Sequence, residues 1–555
     1  MPAEPKINPD NTMADTPPPS SPDLATGAFS GHPPWQVVPE AMGWRGGIDQ
    51  LRVRTKAEVP RLTKRRRIPP GARVMTVSVR IGAAVGGWYL FDRHKGPSAS
   101  KAGLSQRLRR AFERLGPTYI KLGQIISSGE GIFPEELVNE FRLLRDQVPA
   151  ESFDVVRKTV EEDLGRCLED VFSRFDPTPI AAASIAQVHG ARLRSGEEVV
   201  VKVQRPDVSS LVRRDLAAMS WIAPSLVGRI PVTALANPPA LVELFAETIS
   251  EELDFRLEAQ NMLDIAKVLA DTASTALVVP RPHPSLVRRR VLVMERLGGF
   301  RWDNVAGMKE AGIDTSLVIR AAMVSFMEGA VLFGVFHGDL HGGNLLVQPD
   351  GRVALLDYGM TGRMGEARRL AFLRLLLGGS LNDPRLQVAA LRDLGALPAD
   401  VDIEVVVSEL GLEGPPLDPT AMSADQLAAE MRDVTKALLS YGARMPKELM
   451  LFVKNLLFLD GAMARLAPDV DLVGEVAHLA QHFTSKFSDR IFSDVGIDPR
   501  GMALDEQGIR ATMGLPPEVE SITYEELMQR RNLIRQRMEA RSAQRGRRRR
   551  QRQGK

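Results

Sequence analysis

His337-Gly338-Asp339-Leu340-His341-Gly342-Gly343-Asn344, followed thirteen residues after Asn344 by Asp357-Tyr358-Gly359, sets two carboxylates and an amide at fixed intervals in two short loops. Mg²⁺ prefers hard oxygen ligands and keeps several waters, which suits one amide oxygen and one carboxylate from separate loops. Asn344 and Asp357 fit those two places. Between them, Leu345-Leu346-Val347 and Val353-Ala354-Leu355-Leu356 read as short apolar strands joined by the turn Gln348-Pro349-Asp350-Gly351, so a hairpin would bring Asn344 and Asp357 to the same end. His337 and His341 lie four apart, but the glycines argue for a loop and no thiolate or further histidine stands nearby, which speaks against zinc.

Asp339 precedes Asn344 by five residues, the interval at which a kinase catalytic-loop aspartate orients the acceptor hydroxyl. Phosphoryl transfer depends mainly on metal ions, a lysine and an aspartate that hold nucleotide and acceptor in line. Lys202 ends the valine run Val199-Val200-Val201 and suits the strand lysine that meets the α/β-phosphates. A lysine buried on a strand needs a counter-charge, and Glu258 in a downstream helical stretch is its expected partner. Where a glycine-rich phosphate loop would lie, the chain has Ala181-Ala182-Ala183-Ser184, a stiffer turn in which Ser184 offers a hydroxyl. Glu295, ending the short strand Val291 to Glu295, is grouped with these nucleotide-binding residues. The expected cofactors are ATP/ADP and Mg²⁺.

The chain has 555 residues, 44% of them hydrophobic, and a mean hydropathy of −0.12, ordinary for a globular protein of several units. Its single cysteine, Cys167, excludes an internal disulfide framework and fits a reducing compartment. Residues 530–555 hold twelve Lys/Arg and one Glu, a surplus of eleven, so the rest carries −8 against the overall +3. The basic end, Arg547 to Arg550 included, has no aromatic after Tyr524 for base stacking and is expected to make no specific nucleic-acid contact. Anionic lipid is the polyanion it suits. The apolar run Ile81 to Phe91, eleven residues, is too short to span a bilayer, and no transmembrane helix is expected. The basic residues before it and its aromatic Trp88 and Tyr89 suit a membrane surface.

Composition and periodicity divide the chain into a disordered proline-rich segment at 1–50, a basic and helical segment at 51–150, a small strand-rich unit at 151–297, a helical unit at 298–490 and a C-terminal region at 491–555. Val171-Phe172, Ala181 to Ala191 and Glu198 to Val203 read as antiparallel strands, Leu317 to Phe336 as one core helix, and the chain after Gly359 as helical to about residue 490.

These residues resemble the UbiB-like (AarF-domain) atypical kinases. Lys121-Leu122-Gly123-Gln124 is similar to that family's KxGQ motif, Ala181 to Ser184 to its alanine-rich loop, Glu252-Leu253-Asp254 to its ExD motif, and the two loops quoted first to its catalytic and metal motifs. The resemblance covers about residues 104–470. It implies an α+β, protein-kinase-like two-lobed fold, with a small antiparallel-sheet lobe, a large helical lobe and an N-terminal helical extension over the site where a peptide would dock. It also implies that Lys121 and Gln124 project into the site while Glu252 and Asp254 help hold the extension. Expected activity is ATPase-like, with weak or absent protein phosphorylation, in isoprenoid quinone biosynthesis or lipid homeostasis. The location expected is cytoplasmic, peripheral at the inner face of the cell membrane, with biosynthetic enzymes and an isoprenoid lipid as partners. Gly342-Gly343 replaces the usual Pro-Gly, Tyr358 replaces phenylalanine, and Ser127 to Phe133 lacks the usual Arg-Pro-Asp. Two other readings stand beside this one: a non-catalytic scaffold gated by nucleotide, and a small-molecule phosphotransferase.

Overall fold

Valines on alternate positions of Glu198–Gln204 decide how the smaller lobe is layered. The computed structural model describes residues 29–529 except 32, 65–67, 128–132, 145–148, 227–237, 382, 413–440, 442–445, 497–520 and 528. Residues 1–28, Arg65 to Arg67, Gly129 to Ile132, Met445 and the arginine-rich end lie outside the described residues.

Five helices form the N-terminal extension: α1 (Ile48–Leu62), α2 (Ala72–Phe91), α3 (Pro97–Leu115), α4 (Pro117–Ser127) and α5 (Glu135–Phe141). Gly116 turns the chain between α3 and α4 with φ +102°, which glycine alone adopts freely, and Pro117 then opens α4. A Cβ on Gly123 would sit 2.1 Å from Leu144 Cδ1, so the missing side chain lets α4 pack closely.

After α6 (Phe153–Leu164) and α7 (Leu168–Val171) come β1 (Phe172–Phe175), β2 (Ala181–Ala182), β3 (Ala186–Leu193) and β4 (Glu198–Gln204). The helices α8 (Val208–Leu226), α9 (Pro238–Glu252) and α10 (Phe255–Asp271) precede β5 (Leu277–Val278), β6 (Pro282–Val287) and β7 (Val291–Glu295). The sheet runs β1-β3-β4-β7-β6, with β2 on β3 and all pairs antiparallel. Strand side chains alternate between faces. Val199, Val201 and Val203 therefore pack in one cluster with Val156 and Val160 of α6, and Lys202 points the other way, toward α10.

The larger lobe contains β8 (Phe300–Arg301), α11 (Val305–Glu310), α12 (Thr315–Glu328), β9 (Val335–His337), β10 (Leu345–Val347), β11 (Val353–Leu355) and β12 (Thr361–Arg363). It continues with α13 (Glu366–Ser380), α14 (Pro384–Asp393), α15 (Ile403–Glu409), α16 (Lys447–Leu466), α17 (Leu472–Lys486) and α18 (Ser488–Val495). β10 and β11 form the expected hairpin, with Leu345 opposite Leu355, in a sheet ordered β5-β11-β10-β8. β9 pairs with β12. Phe452 of α16 joins the lobe, 4.7 Å from the Phe372 ring and 5.3 Å from that of Phe326.

Several sequence expectations change. Residues 29–50 fold onto the protein: Phe29 bridges Val279, Val37, Met42 and Trp44 are buried, and Trp35 Nε1 donates to the Pro282 carbonyl at 3.2 Å. Apolar residues scattered among prolines show no periodicity, so their burial left no pattern to read. The helix expected to reach Phe336 stops at Glu328, and one π-helical turn (Gly329–Phe333) and Gly334 at φ +64° lead into β9. A strand, β12, follows Gly359 before the helices begin, and Val171 closes α7 rather than opening β1.

Arg80 does not interrupt α2. That 20-residue helix, and the 19 residues Thr315–Phe333, are long and apolar enough to cross a membrane by length and composition alone, with 17% and 56% of their most apolar windows buried. The expectation that no segment is long enough therefore does not hold for α2, whose Met75, Val79, Leu90 and Phe91 are exposed.

Phe452→Ala should destabilise the protein by about 3–5 kcal/mol, because the surrounding rings cannot collapse into the space, and chemical denaturation would measure it.

Candidate functional site

A buried lysine with two carboxylates forms the centre of the site. Lys202 Nζ of β4 lies 2.7 Å from Glu258 Oε1 of α10 and 3.1 Å from Asp357 Oδ2. Burial opposes its charge, but Asp357 and Glu258 outweigh that and raise its pKa. Burial and the nearby Asp357 push the Glu258 carboxyl up to about 7 even though Lys202 pulls it down. The short ion pair keeps Lys202 charged. Burial also opposes ionisation of Asp357, but Lys202 and Lys121 hold it well below the usual carboxylate range. Gly359 N–H donates to Asp357 Oδ1 at 2.9 Å and fixes its rotamer.

The hairpin closes with the Leu356 N–H donating to the Asn344 carbonyl at 3.0 Å, which sets Asn344 beside the Asp357 turn. Asn344 Nδ2 donates to the Asp339 carbonyl at 3.1 Å, leaving its Oδ1 as an acceptor. One amide oxygen beside a half-exposed carboxylate is a hard-oxygen pair of the kind Mg²⁺ takes when water and phosphate complete its shell. Among the described residues no group of three or more His, Cys, Asp or Glu is arranged to hold a metal.

Asp339 is clamped by Lys454 of α16, with His341 Nε2 at 3.9 Å. Burial raises its pKa, but Lys454 and Lys121 overcome this and bring it down to about 2. The His337 ring Nδ1 accepts from the Asp339 N–H at 3.1 Å and Nε2 faces the Asp357 carbonyl, a pattern that fits the neutral Nε2–H tautomer favoured by burial. Asn455 bonds both the His337 carbonyl and, at 2.9 Å, the Leu340 N–H.

From the extension, Lys121 Nζ of α4 reaches Glu252 Oε1 at 2.9 Å. Although burial disfavours its charge, Glu252, Asp339 and Asp357 raise its pKa, which places the ammonium within electrostatic reach of both loops. Gln124, on the same helix, is half-buried. Glu252 therefore meets the extension through this ion pair. Asp254 does not: it caps α10 by accepting from the Arg256 N–H at 3.1 Å, and holds the Arg256 guanidinium at 2.7 Å. Its charge is consumed locally.

Ala181 and Ala182 pair with Val188 and Gln187, the Ala183 N–H donates to the Ala186 carbonyl at 2.8 Å, and Arg205 Nε donates to the Ala183 carbonyl at 3.0 Å. The alanine turn is thus tied down at both ends. Ser184 is buried, and its hydroxyl makes no hydrogen bond among the described residues. The Glu295 carboxylate is committed to Ser30 and Arg281, and its N–H donates to the Arg281 carbonyl at 2.9 Å. The buried Tyr358 hydroxyl has no partner among the described residues.

Sequence reasoning missed Lys454 and Asn455, and also Lys447, whose Nζ lies 2.8 Å from Glu251. The signal was present: Lys454-Asn455 interrupts the apolar run Leu449 to Leu459, and two adjacent polar groups on a core helix need partners.

A family model described as the ABC1 atypical kinase-like domain matches residues 143–389. An uncharacterised Mycobacterium tuberculosis protein is 37% identical over 376 residues, 67% of this chain and 76% of its own. The chain belongs to the UbiB-like (AarF-domain) atypical kinase family. An uncharacterised aarF domain-containing protein kinase, chloroplastic, of Arabidopsis thaliana is 33% identical over 440 residues, 73% of this chain and 81% of its own. A probable protein kinase UbiB of Aeromonas hydrophila is 31% identical over 372 residues, 66% and 68% respectively. The UbiB-like assignment carries with it the protein-kinase-like, two-lobed fold.

Because the Asp339 pKa is depressed from 3.8 to about 2, its ion pairs contribute stability that is present above pH 3.8 and lost as pH falls through 2. Asp339→Asn should abolish this acid limb, about 2 kcal/mol, in denaturation measured from pH 5 to 2.

Proposed function

We propose that this UbiB-like protein binds ATP with Mg²⁺ and transfers the γ-phosphoryl group to water or a small acceptor at a membrane surface, in support of isoprenoid quinone or lipid metabolism. The observation that carries the reading is Lys202 held between Glu258 and Asp357. That arrangement fixes an ammonium where it can meet α/β-phosphates, beside the Asn344 and Asp357 oxygens that would hold the metal ion. The ion would neutralise charge on the phosphates. The Asp339 carboxylate, kept ionised by Lys454, orients the acceptor O–H. As the acceptor oxygen bonds to phosphorus, the bond to the ADP oxygen breaks and the acceptor proton is lost to solvent. Ser184 and the Ala181-Ala182-Ala183 turn cover the phosphates.

Lys121 and Glu252 occupy the acceptor side, which fits a small acceptor better than a peptide. The same pair supports the second reading, a scaffold whose grip on lipid or biosynthetic enzymes is set by nucleotide. The motif around Lys121 and the alanine turn tell against a soluble small-molecule phosphotransferase. Membrane contact is supported by the exposed Met75, Val79, Leu90 and Phe91 of α2 and by Arg93 stacked 4.2 Å over Tyr89, a ring and cation suited to headgroup depth.

Mg²⁺-dependent phosphate release from ATP should fall on the order of 10²-fold in Asp357→Asn, and anionic liposomes should raise the wild-type rate at low salt but not at high salt. Equal release by both proteins would remove Asp357 from the metal role; no release in any condition would favour the scaffold. Lys454→Met is expected to lower kcat on the order of tenfold with little change in KM for ATP, and Lys454→Arg to recover part of it.

A further inference from the structure

Six helices of this chain enclose a cavity that no part of the nucleotide site uses. It lies between α2, α3, α4 and α5 of the extension and α8 and α9, with a volume of about 140 Å³. Its walls are hydrocarbon and aromatic, among them Ile81, Phe112, Leu122, Phe141 and Ala223, and among the described residues only Tyr119 brings a hydroxyl to the lining. Protein interiors are packed so closely that voids larger than a water molecule are few, and an apolar cavity of this size stays dry and accepts small apolar ligands.

Polar groups at Tyr119 narrow the chemistry. The residue is 2% exposed and its hydroxyl has no hydrogen-bond partner among the described residues. Asp215, fully buried on α8, acts electrostatically on that hydroxyl; it is paired with Arg73 through Oδ1, while its Oδ2 has no partner among the described residues. Buried donors and acceptors are almost always satisfied. A hydroxyl on a ligand can accept from the phenol, which a pure hydrocarbon cannot.

We propose that this cavity binds a neutral amphiphile, a hydrocarbon portion of about six to eight carbons bearing one hydroxyl, on the scale of small apolar ligands held by cavities of comparable volume. The helix α4 gives such a ligand a route to the site. Tyr119, Leu122 and Ile126, spaced along one face, line the cavity, while Lys121 leaves the helix toward Glu252. Occupancy therefore shifts the position of Lys121 and modulates phosphate release. The binding stands independently of nucleotide chemistry; the modulation rests on the proposed phosphoryl transfer.

The test is thermal melting of the full chain with octan-1-ol and with octane, in wild type, Ala223→Leu and Tyr119→Phe. Binding to the folded state raises Tm with ligand concentration. Octan-1-ol should raise the wild-type Tm more than octane does, should need at least tenfold higher concentration in Ala223→Leu, where leucine fills the void, and should lose its advantage over octane in Tyr119→Phe. Absence of a shift in wild type, equal shifts by octanol and octane there, or an undiminished shift in a folded Ala223→Leu would overturn the site. Phosphate release is then read with and without octan-1-ol. A rate that does not move, in protein that releases phosphate and binds octanol, overturns the coupling alone; octanol binding without any release leaves the cavity supported and counts against the phosphoryl-transfer reading.

Discussion

An ammonium buried on a β-strand can remain charged only if carboxylates are brought to it, and this requirement at Lys202 organises the rest of the molecule. Glu258 comes from α10 and Asp357 from the turn after β11, so one cation ties the small sheet, the helix beneath it and the larger lobe together. Removing one partner from such a buried pair is far costlier than the pair is worth, because the remaining charge has no water to turn to. The arrangement is better understood as fixing geometry than as a store of stability. It aligns three elements that are 155 residues apart at their extremes.

A second layer of polar contacts supports the same site. Lys121 of the extension meets Glu252, and Lys454 and Asn455 of α16 grip the loop that carries Asp339. Lys447 of the same helix reaches Glu251, next to Glu252, so α16 bonds both the loop and the end of α9. Each of these side chains leaves a mostly apolar helix, where only a partnered charge is tolerated. The extension and α16, which lie on either side of the site in the sequence, are thus held to it by the same kind of contact.

What the sequence displayed and what it hid follow from this. The hairpin between Asn344 and Asp357, the alternating valines around Lys202 and the Lys202–Glu258 pairing were legible, because period-two burial and fixed loop spacing are local. The engagement of Glu295 by Ser30 was not, since it joins residues 265 apart and depends on a proline-rich segment without periodicity. Asp254 misled for the opposite reason. An acidic residue just before a helix is a cap first, and the cap satisfies backbone N–H groups that would otherwise be orphaned. The break after Glu328 was hidden because apolar composition continues smoothly from helix into strand, and only the glycines at 329 and 334 mark the change.

The same network constrains what a nucleotide can do on arrival. With the nucleotide bound as proposed, Lys202 would share its charge between phosphate and Asp357, and Asp357 would turn an oxygen toward the metal ion while Gly359 still holds the other. Such an exchange trades ion pairs for ion pairs. Its net gain is therefore set by geometry, chiefly by whether Lys121 stays with Glu252 or follows the new charge between Asp339 and Asp357. A stiff alanine turn, anchored by Arg205, cannot compensate by wrapping more tightly over the phosphates. On that proposed reading control would pass to Lys121, the cation mounted on the extension, and a movement of α4 relative to the two lobes would act on the site.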